Sequence, residues 1–242
     1  SLAASNTSYK RIDYFNYLDS DPDQETDFVN FFGYQVKGGV NYNLNDNHNV
    51  YFNTGYFEKA PIFDAVFQNF VNDINEQAEN EKIFSAELGY GLRASNFTAN
   101  LNVYRTQWSD RTLTKGFQSS DGEPLFANIR GVNAVHQGVE VDLKYKIANR
   151  VTLSGMASIG DWRWQNDILG VQYFDDAQVL QGTVDLYIAD LRVGNSAQTT
   201  AALGVDYKVL DGLSIGVDYN YYDNNFADFD PTTKGDASDA GI

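Results

Sequence analysis

Apolar and polar side chains alternate along much of this chain, as they do in a β-strand that has one apolar and one polar face. In residues 213–222, Leu213, Ile215 and Val217 fall on one face, and polar residues such as Ser214 fall on the other. The same alternation runs through 34–44, 84–92, 139–147 and 201–209, and in fainter form through 48–57, 97–108 and 150–162. The pattern predicts about eight strands.

The length of these strands favours a membrane-spanning sheet. Strands of soluble sheets usually have about five or six residues, whereas a tilted strand that crosses a bilayer needs about 9–11. Several of the predicted strands have ten or more residues. A soluble β-sandwich that binds a ligand remains the alternative, because alternation occurs in both kinds of sheet.

Short and long connections alternate between the predicted strands. Tight turns are predicted at 45–47, 94–96, 148–150 and 211–212, and long polar loops near 18–30, 58–81, 109–126, 163–197 and 223–242. If neighbouring strands pair as hairpins, every tight turn lies at one end of the sheet and every long loop at the other. Outer-membrane β-barrels have this asymmetry, with short periplasmic turns and long outer loops.

The side chains of the strands agree with such a barrel, in which the apolar face contacts lipid and the polar face lines the lumen. The charged residues of the strands are predicted on the polar face: Glu87, Glu140, Asp142, Lys144, Asp206 and Asp218. Aromatic residues near the strand ends are predicted to form the girdles at the lipid interfaces. These are Tyr51, Tyr56, Phe57, Tyr104, Trp108, Trp162, Trp164, Tyr221 and Tyr222.

Composition narrows the classes of function. The 242 residues include 17 Lys and Arg against 33 Asp and Glu, a net charge of −16, which argues against a nucleic-acid partner. The chain has no cysteine, so a disulfide, a cysteine zinc site and a cysteine nucleophile are excluded. No hydrolase or phosphate-binding motif is present. We therefore expect neither enzyme activity nor a cofactor, with a small outer-membrane barrel hydrolase as the enzymatic alternative.

Four short motifs in a fixed order resemble those of TonB-dependent outer-membrane receptors. The first is Gly55–Pro61, which contains Lys59, Ala60 and Pro61, with Lys59 where that family usually has arginine. The others begin at Asn80, with Glu81 next, at Leu101 and at Asn133, and the last contains the sequence Gly138-Val139-Glu140-Val141. The resemblance covers residues 31–224.

The resemblance implies an N-terminal plug domain inside a barrel of 22 strands, and neither fits in this length. Residues 235–242 are polar and lack a closing aromatic strand. We therefore expect residues 1–242 to be a C-terminal portion of an antiparallel transmembrane β-barrel. A split receptor and a complete small barrel of eight to ten strands are the alternatives.

In function, the resemblance implies a receptor in the outer membrane of a Gram-negative bacterium that takes up a scarce ligand, such as a siderophore, cobalamin, glycan or peptide. Its energy would come from the TonB complex. The expected partners are the plug domain, the remaining barrel strands, the TonB complex and outer-membrane lipid, with a surface lipoprotein as a further candidate.

Three sets of candidate site residues follow. The resemblance implies that Glu87 and Glu140 contact arginines of the plug, although a lumen-facing glutamate can also be merely hydrated. Aromatic residues of the long loops are candidates for ligand contact: Phe117, Tyr173 and Phe174. Asp19, Asp21 and Asp23 alternate in the first long loop like calcium ligands. A solvated acidic loop is the favoured interpretation there, so no metal site is predicted.

Phe63, Phe67 and Phe70 have the spacing of a short helix that packs on the barrel rim.

Overall fold

The computed structural model describes residues 1–67, 71–148, 150–177 and 179–235, so Phe70 and the predicted loop residues 236–242 lie outside the described residues. The fold is almost entirely β-structure. The strands are β1 (Leu2–Tyr9), β2 (Val29–Asn43), β3 (His48–Lys59), β4 (Glu81–Arg93), β5 (Phe97–Gln118), β6 (Pro124–Ile147), β7 (Val151–Trp164), β8 (Ile168–Asp175), β9 (Leu180–Leu186), β10 (Ala197–Leu210) and β11 (Leu213–Asn225). One short helix, α1 (Phe63–Val66), and two 3-10 turns, Pro22–Gln24 and Pro231–Thr233, complete the elements.

All strands belong to one antiparallel sheet, in the order β1-β2-β3-β4-β5-β6-β7-β10-β11. β8 pairs with the beginning of β6, at Leu125–Ala127, and with β9. Among the described residues β1 pairs only with β2, and β11 only with β10, so the sheet is an open part of a barrel. The eight predicted strands correspond to β2–β7, β10 and β11, whereas the alternation pattern does not predict β1, β8 or β9.

The register places the two kinds of side chain on opposite faces of the sheet. Phe52, Leu88, Val103 and Val139 are directly paired across β3–β6 and form one row. We call this side the apolar face, and the side that carries Glu87 the polar face. The six charged strand residues predicted on the polar face all lie there.

The apolar face is open to its surroundings rather than packed against a second layer. Leu88 is 58% exposed and Val217 is 69% exposed, and most large apolar side chains of this face are exposed as well. A β-sandwich would bury such side chains between two sheets. The single sheet of the described residues therefore has the arrangement of a membrane barrel, whose outward apolar band contacts lipid.

The connections follow the predicted asymmetry. The links β2–β3, β4–β5, β6–β7 and β10–β11 have two to four residues and lie at one end of the sheet, which we call the turn end. The opposite end, the loop end, differs from the prediction in two places. β5 and β6 continue through most of the predicted loop 109–126, and the hairpin β8–β9 occupies part of the predicted loop 163–197.

A small hydrophobic core lies at the loop end. It belongs to a loop module, which consists of the outer parts of β5 and β6, the hairpin β8–β9 and the segments 187–193 and 226–234. Its buried members are Ala127, Ile129, Val132, Ala134, Trp164, Val171, Leu186, Ile188, Leu191 and Phe229. Lys115 pairs with Asp228 and lies over the Phe229 ring, 4.8 Å from its centroid. This contact joins β5 to the segment 226–234.

Candidate functional site

Glu87 lies on the polar face in the middle of β4. Tyr51 donates a hydrogen bond to Glu87 Oε1 at 3.5 Å, and Asn53 Nδ2 donates to Oε2 at 3.4 Å. The hydroxyl of Tyr51 also bonds the side chain of Asn102. Both donors to the carboxylate are neutral and both bonds are long, so much of its acceptor capacity is left for a partner in the lumen.

Glu140 lies on the same face of β6, beyond β5. The hydroxyl of Ser158 donates a hydrogen bond to its Oε1 at 3.4 Å. Because neighbouring strands are about 4.8 Å apart, two strand spacings separate the carboxylates by roughly 10 Å or more. None of the ion pairs found in the described residues includes Glu87 or Glu140. The two glutamates are thus separate acceptors on one wall, each able to receive a guanidinium or an ammonium group.

Gly138 shapes the polar face beside Glu140. Trp162 Nε1 donates a hydrogen bond of 3.0 Å to the hydroxyl of Tyr104, and this pair bridges β5 and β7 across β6. A Cβ at Gly138 would lie 2.8 Å from that hydroxyl and 2.6 Å from the carbonyl oxygen of Ile159. The motif glycine therefore leaves the space that the aromatic side chain occupies.

The predicted lipid girdle is wrong for most of its members. Tyr56 and Tyr221 lie on the apolar face as predicted. Tyr51, Phe57, Tyr104, Trp108, Trp162, Trp164 and Tyr222 lie on the polar face. Successive residues of a strand point to opposite faces, so residues an even number of positions apart share a face. These aromatic residues are an even number of positions from polar-face residues of the same strand. Trp164 is buried in the core of the loop module, and the others form part of the lumen wall.

Near the loop end, all three tryptophans of the chain gather on the polar face. The imidazole of His136 stacks on Trp162 with 5.0 Å between ring centroids, and Trp108 lies 6.3 Å from the same imidazole. The guanidinium of Arg111 lies over Trp108 and Trp164, at 5.0 and 5.8 Å. Trp164 is buried, so this aromatic cluster offers the half-buried rings of Trp108 and Trp162 and one cation, which suits a planar or anionic group.

The sequence pattern assigns no site role to Arg111 or His136. The strand register brings His136 level with Trp162, and a bulge at Asp110, whose φ is +60°, keeps Arg111 on the side of Trp108. The spacing of the tryptophans is visible in the sequence, but their neighbours become visible only once the pairing of β5, β6 and β7 is known.

The loop candidates Phe117, Tyr173 and Phe174 are half-buried in the loop module. The rings of Phe117 and Tyr173 meet edge to face with 5.8 Å between centroids, and both pack against the hydrophobic core. Phe174 is paired with Phe126 where β8 joins β6. Phe117 and Tyr173 therefore contribute to the packing of the module, and contact of the three residues with a ligand stays a prediction.

The remaining motif residues join strand ends to the first loops. Lys59 Nζ lies 3.3 Å from the carboxylate of Glu81, whose side chain is almost fully buried. The carbonyl of Pro61 accepts a hydrogen bond of 2.9 Å from the hydroxyl of Tyr9. Ala60, between them in sequence, is half-buried. These contacts hold β1, β3 and β4 together at the loop end.

The acidic residues of the first loop organise its backbone. Asp21 caps the 3-10 turn at Pro22–Gln24 by accepting from the backbone N–H of Asp23, and Asp19 accepts from Gln24 Nε2 at 3.1 Å. Within the described ranges, no three His, Asp or Glu side chains are placed to hold a metal ion together. No helix in the described part of the chain is long and apolar enough to cross a membrane.

Long antiparallel strands, an outward apolar face, a polar inner wall, and short turns opposite folded loops define a segment of an outer-membrane β-barrel. The family model described as "TonB dependent receptor-like, beta-barrel" matches residues 7–240, and the chain belongs to this family. The motif resemblance seen in the sequence is thereby confirmed.

Two transporters are among the solved structures that match this chain. The copper transporter OprC is 16% identical with a TM-score of 0.62, over 91% of this chain and 32% of its own. The Pseudomonas putida toluene transporter TodX is 11% identical with a TM-score of 0.43, over 90% of this chain and 58% of its own. The curated proteins contain no match. The likeness to OprC concerns the fold alone, and this chain spans about a third of that transporter's length.

Proposed function

We propose that this chain forms part of the wall of an outer-membrane receptor that takes up a scarce ligand with energy from the TonB complex. The family supports a receptor or transporter in the outer membrane of a Gram-negative bacterium rather than an enzyme. The observation that carries the proposal is the polar wall with Glu87 and Glu140, whose carboxylates have only neutral partners within the described chain.

In this proposal the two glutamates receive cations of a plug domain that fills the barrel. A carboxylate shielded from bulk water gains most from a charge-assisted, bidentate bond to arginine. The separation of roughly 10 Å or more, which follows from two strand spacings, lets each glutamate take its own arginine and so fix the plug at two points. The remaining strands of the barrel would complete the wall around it.

The ligand enters from the loop end. It meets the loop module, with Phe117, Tyr173 and Phe174, and then the aromatic cluster around Arg111. Siderophore, cobalamin, glycan and peptide are the ligand classes proposed, and a lipoprotein that covers the loop end is a further proposed partner.

The test replaces both glutamates with alanine in the intact receptor. If the two glutamates hold the plug, the plug of the double variant should be anchored less firmly. Cells should then be several-fold more sensitive to antibiotics that are too large for porins, which a lower inhibitory concentration would show. Paired substitution of Asp121 and Glu123, acids of the β5–β6 tip, removes the same charge elsewhere and should leave sensitivity unchanged.

Uptake provides the second arm of this test. Receptor-dependent growth on the scarce nutrient should disappear in cells that lack the TonB complex. Sensitivity that stays at the wild-type level in the double variant would contradict the plug contact, and growth that is independent of TonB would contradict energy coupling.

A further inference from the structure

The apolar face carries one row of side chains that is polar at four of its five positions. Thr54, Ala86, Arg105, Gln137 and Asp161 are directly paired across β3–β7. Arg105 is exposed on this face, and its Nη1 donates a hydrogen bond of 2.6 Å to Gln137 Oε1. None of the ion pairs found among the described residues includes Arg105. An exposed cation that points away from the lumen calls for an outward partner.

The height of Arg105 on the barrel places it at the border of the hydrocarbon layer. Below it, the outward residues of β6 are apolar from Val139 to Ile147, next to the turn end. From Gln137, which is paired with Arg105, to Ile147 the strand has ten residue steps, and at about 3.3 Å per residue and a tilt of about 40° these rise roughly 25 Å. This is close to the height of about 25 Å of an outer-membrane apolar band. Arg105 therefore lies at the level of the outer headgroups.

A groove leads from Arg105 down the apolar face. Phe52, Leu88, Val103 and Val139 line it, and Ala86 leaves room directly beside the guanidinium. Their side chains are between 42% and 58% exposed, apart from the small Ala86. The groove has the apolar lining and the open side that an acyl chain lying against a protein requires.

Arginines outnumber carboxylates along the hydrogen-bonded chain that begins at Arg105. Gln137 Nε2 donates to Asp161 Oδ2 at 3.4 Å, which links the row to a second group of arginines. Asp161 accepts from Arg163 Nε at 2.8 Å and also pairs with Arg192. Three arginines are thus linked to one carboxylate, in a chain whose net charge is −16. The local excess of positive charge favours an anion.

We propose that this surface binds an acylated lipid with a phosphate in its headgroup. The planar fork of Arg105 matches a phosphate with two parallel hydrogen bonds, and Gln137 holds the guanidinium in place. One acyl chain lies in the groove over Leu88, Val103 and Val139. Phosphates occupy the headgroup level of a bilayer, where Arg105 lies. The site is separate from the lumen and does not depend on uptake.

The test measures lipid retention by native mass spectrometry. The intact receptor is reconstituted into nanodiscs of phosphatidylcholine that contain a small fraction of phosphatidic acid. We expect the wild-type receptor to retain phosphatidic acid and R105A to retain about tenfold less, because the charge-assisted pair is lost. R105K should fall between them, since lysine keeps the charge without the fork. R150A, at the exposed turn end, is the matched control and should retain the wild-type amount.

Three outcomes would overturn the proposal. Equal retention by R105A and wild type would show that Arg105 does not hold the lipid. Displacement by millimolar inorganic phosphate would show a site for free anions rather than for lipid. Equal retention of diacylglycerol, which lacks the phosphate, would show that the headgroup is not recognised. Heat-modifiable electrophoretic mobility of each variant verifies that the barrel is folded.

Discussion

Single glycines decide where the aromatic side chains of the lumen wall can lie. Gly89 lies beneath the ring of Tyr51, and Gly138 lies beneath the hydroxyl of Tyr104. A Cβ at Gly160 would approach Trp162 Nε1 to 2.7 Å. Large rings that lie flat over glycine cover the exposed backbone and connect strands that are not direct neighbours. These glycines are therefore part of the packing of the wall.

Substituting Gly138 with alanine tests this role. The new Cβ would meet the backbone oxygen of Ile159, which cannot move away easily, and would displace Tyr104 from Trp162. We expect a loss of about 1–3 kcal/mol in the free energy of unfolding, the usual cost of overpacking. Urea unfolding of the receptor in lipid, followed by tryptophan fluorescence, measures it.

Gly155→Ala is the control for that substitution. Gly155 also lies in a strand of the sheet, but the atom nearest to a Cβ added there would be Leu203 Cδ2 at 3.4 Å, an ordinary contact with a flexible side chain. We expect almost no change in the free energy of unfolding. Equal effects of the two substitutions would show that the space above Gly138 is not needed.

At the scale of strands, the sequence predicts elements where alternation is unbroken. β2 and β11 alternate over most of their length and were predicted. β1 has the sequence LAASNTSY, in which small and polar residues follow one another without a period of two. β8 contains Gly170 at φ +69°, where the pairing with β9 shifts. Strands in which apolar and polar residues do not alternate regularly cannot be predicted from alternation.

The alternation does not predict the outer parts of β5 and β6, for a related reason. Asp110 at φ +60° and Gly131 at φ +70° interrupt the alternation, and the register between the two strands shifts there. The same bulge positions Arg111 over the tryptophans. The sequence therefore indicates that Glu87 and Glu140 share a face, but it does not indicate the neighbours that bulges and cross-strand register create around them.

In the loop between β1 and β2, a buried carboxylate orders the first residues. Asp13, 3% exposed, accepts hydrogen bonds from the backbone N–H of Asn16 at 3.0 Å and of Phe15 at 2.9 Å. The amide of Asn16 donates as well, at 2.9 Å, and Arg11 pairs with it at 3.4 Å. These bonds, led by the backbone and side chain of Asn16, lower the pKa of Asp13 to about 2.

This loop should lose its order only at very low pH. Because the folded pKa is below the ordinary value of 3.8, the carboxylate stabilises the loop above about pH 4, and this contribution disappears as the pH falls through about 2. Asp13→Asn should speed amide hydrogen exchange at Phe15 and Asn16 near neutral pH, relative to wild type at the same pH. At a pH below the folded pKa the two should exchange alike.

Asp27→Asn, in the same loop, is the matched control, since its side chain is exposed. It should leave the exchange of Phe15 and Asn16 unchanged at both pH values. If D13N exchanged like wild type near neutral pH, Asp13 would not be the residue that orders the loop.

At the scale of the whole molecule, burial is divided between two regions. The strands expose their apolar side chains to lipid, and their stability rests on backbone pairing within the sheet and on the membrane. The loop module instead has a water-excluding core like that of a soluble domain, with Ile129, Leu186 and Ile188 fully buried. The two regions should therefore respond differently to the loss of an apolar side chain.

Leu186→Ala and Leu88→Ala compare the two regions with the same chemical change. Leu186 is fully buried in the module, so its truncation leaves a cavity and should cost about 2–5 kcal/mol locally. Leu88 is 58% exposed on the apolar face, where lipid chains can fill the space, so the cost should be smaller. Hydrogen exchange by mass spectrometry should show faster exchange in β8 and β9 for L186A, with β4 unchanged. If the loosening spread equally to β4, or if L88A loosened the module as much, the module and the sheet would be one cooperative unit.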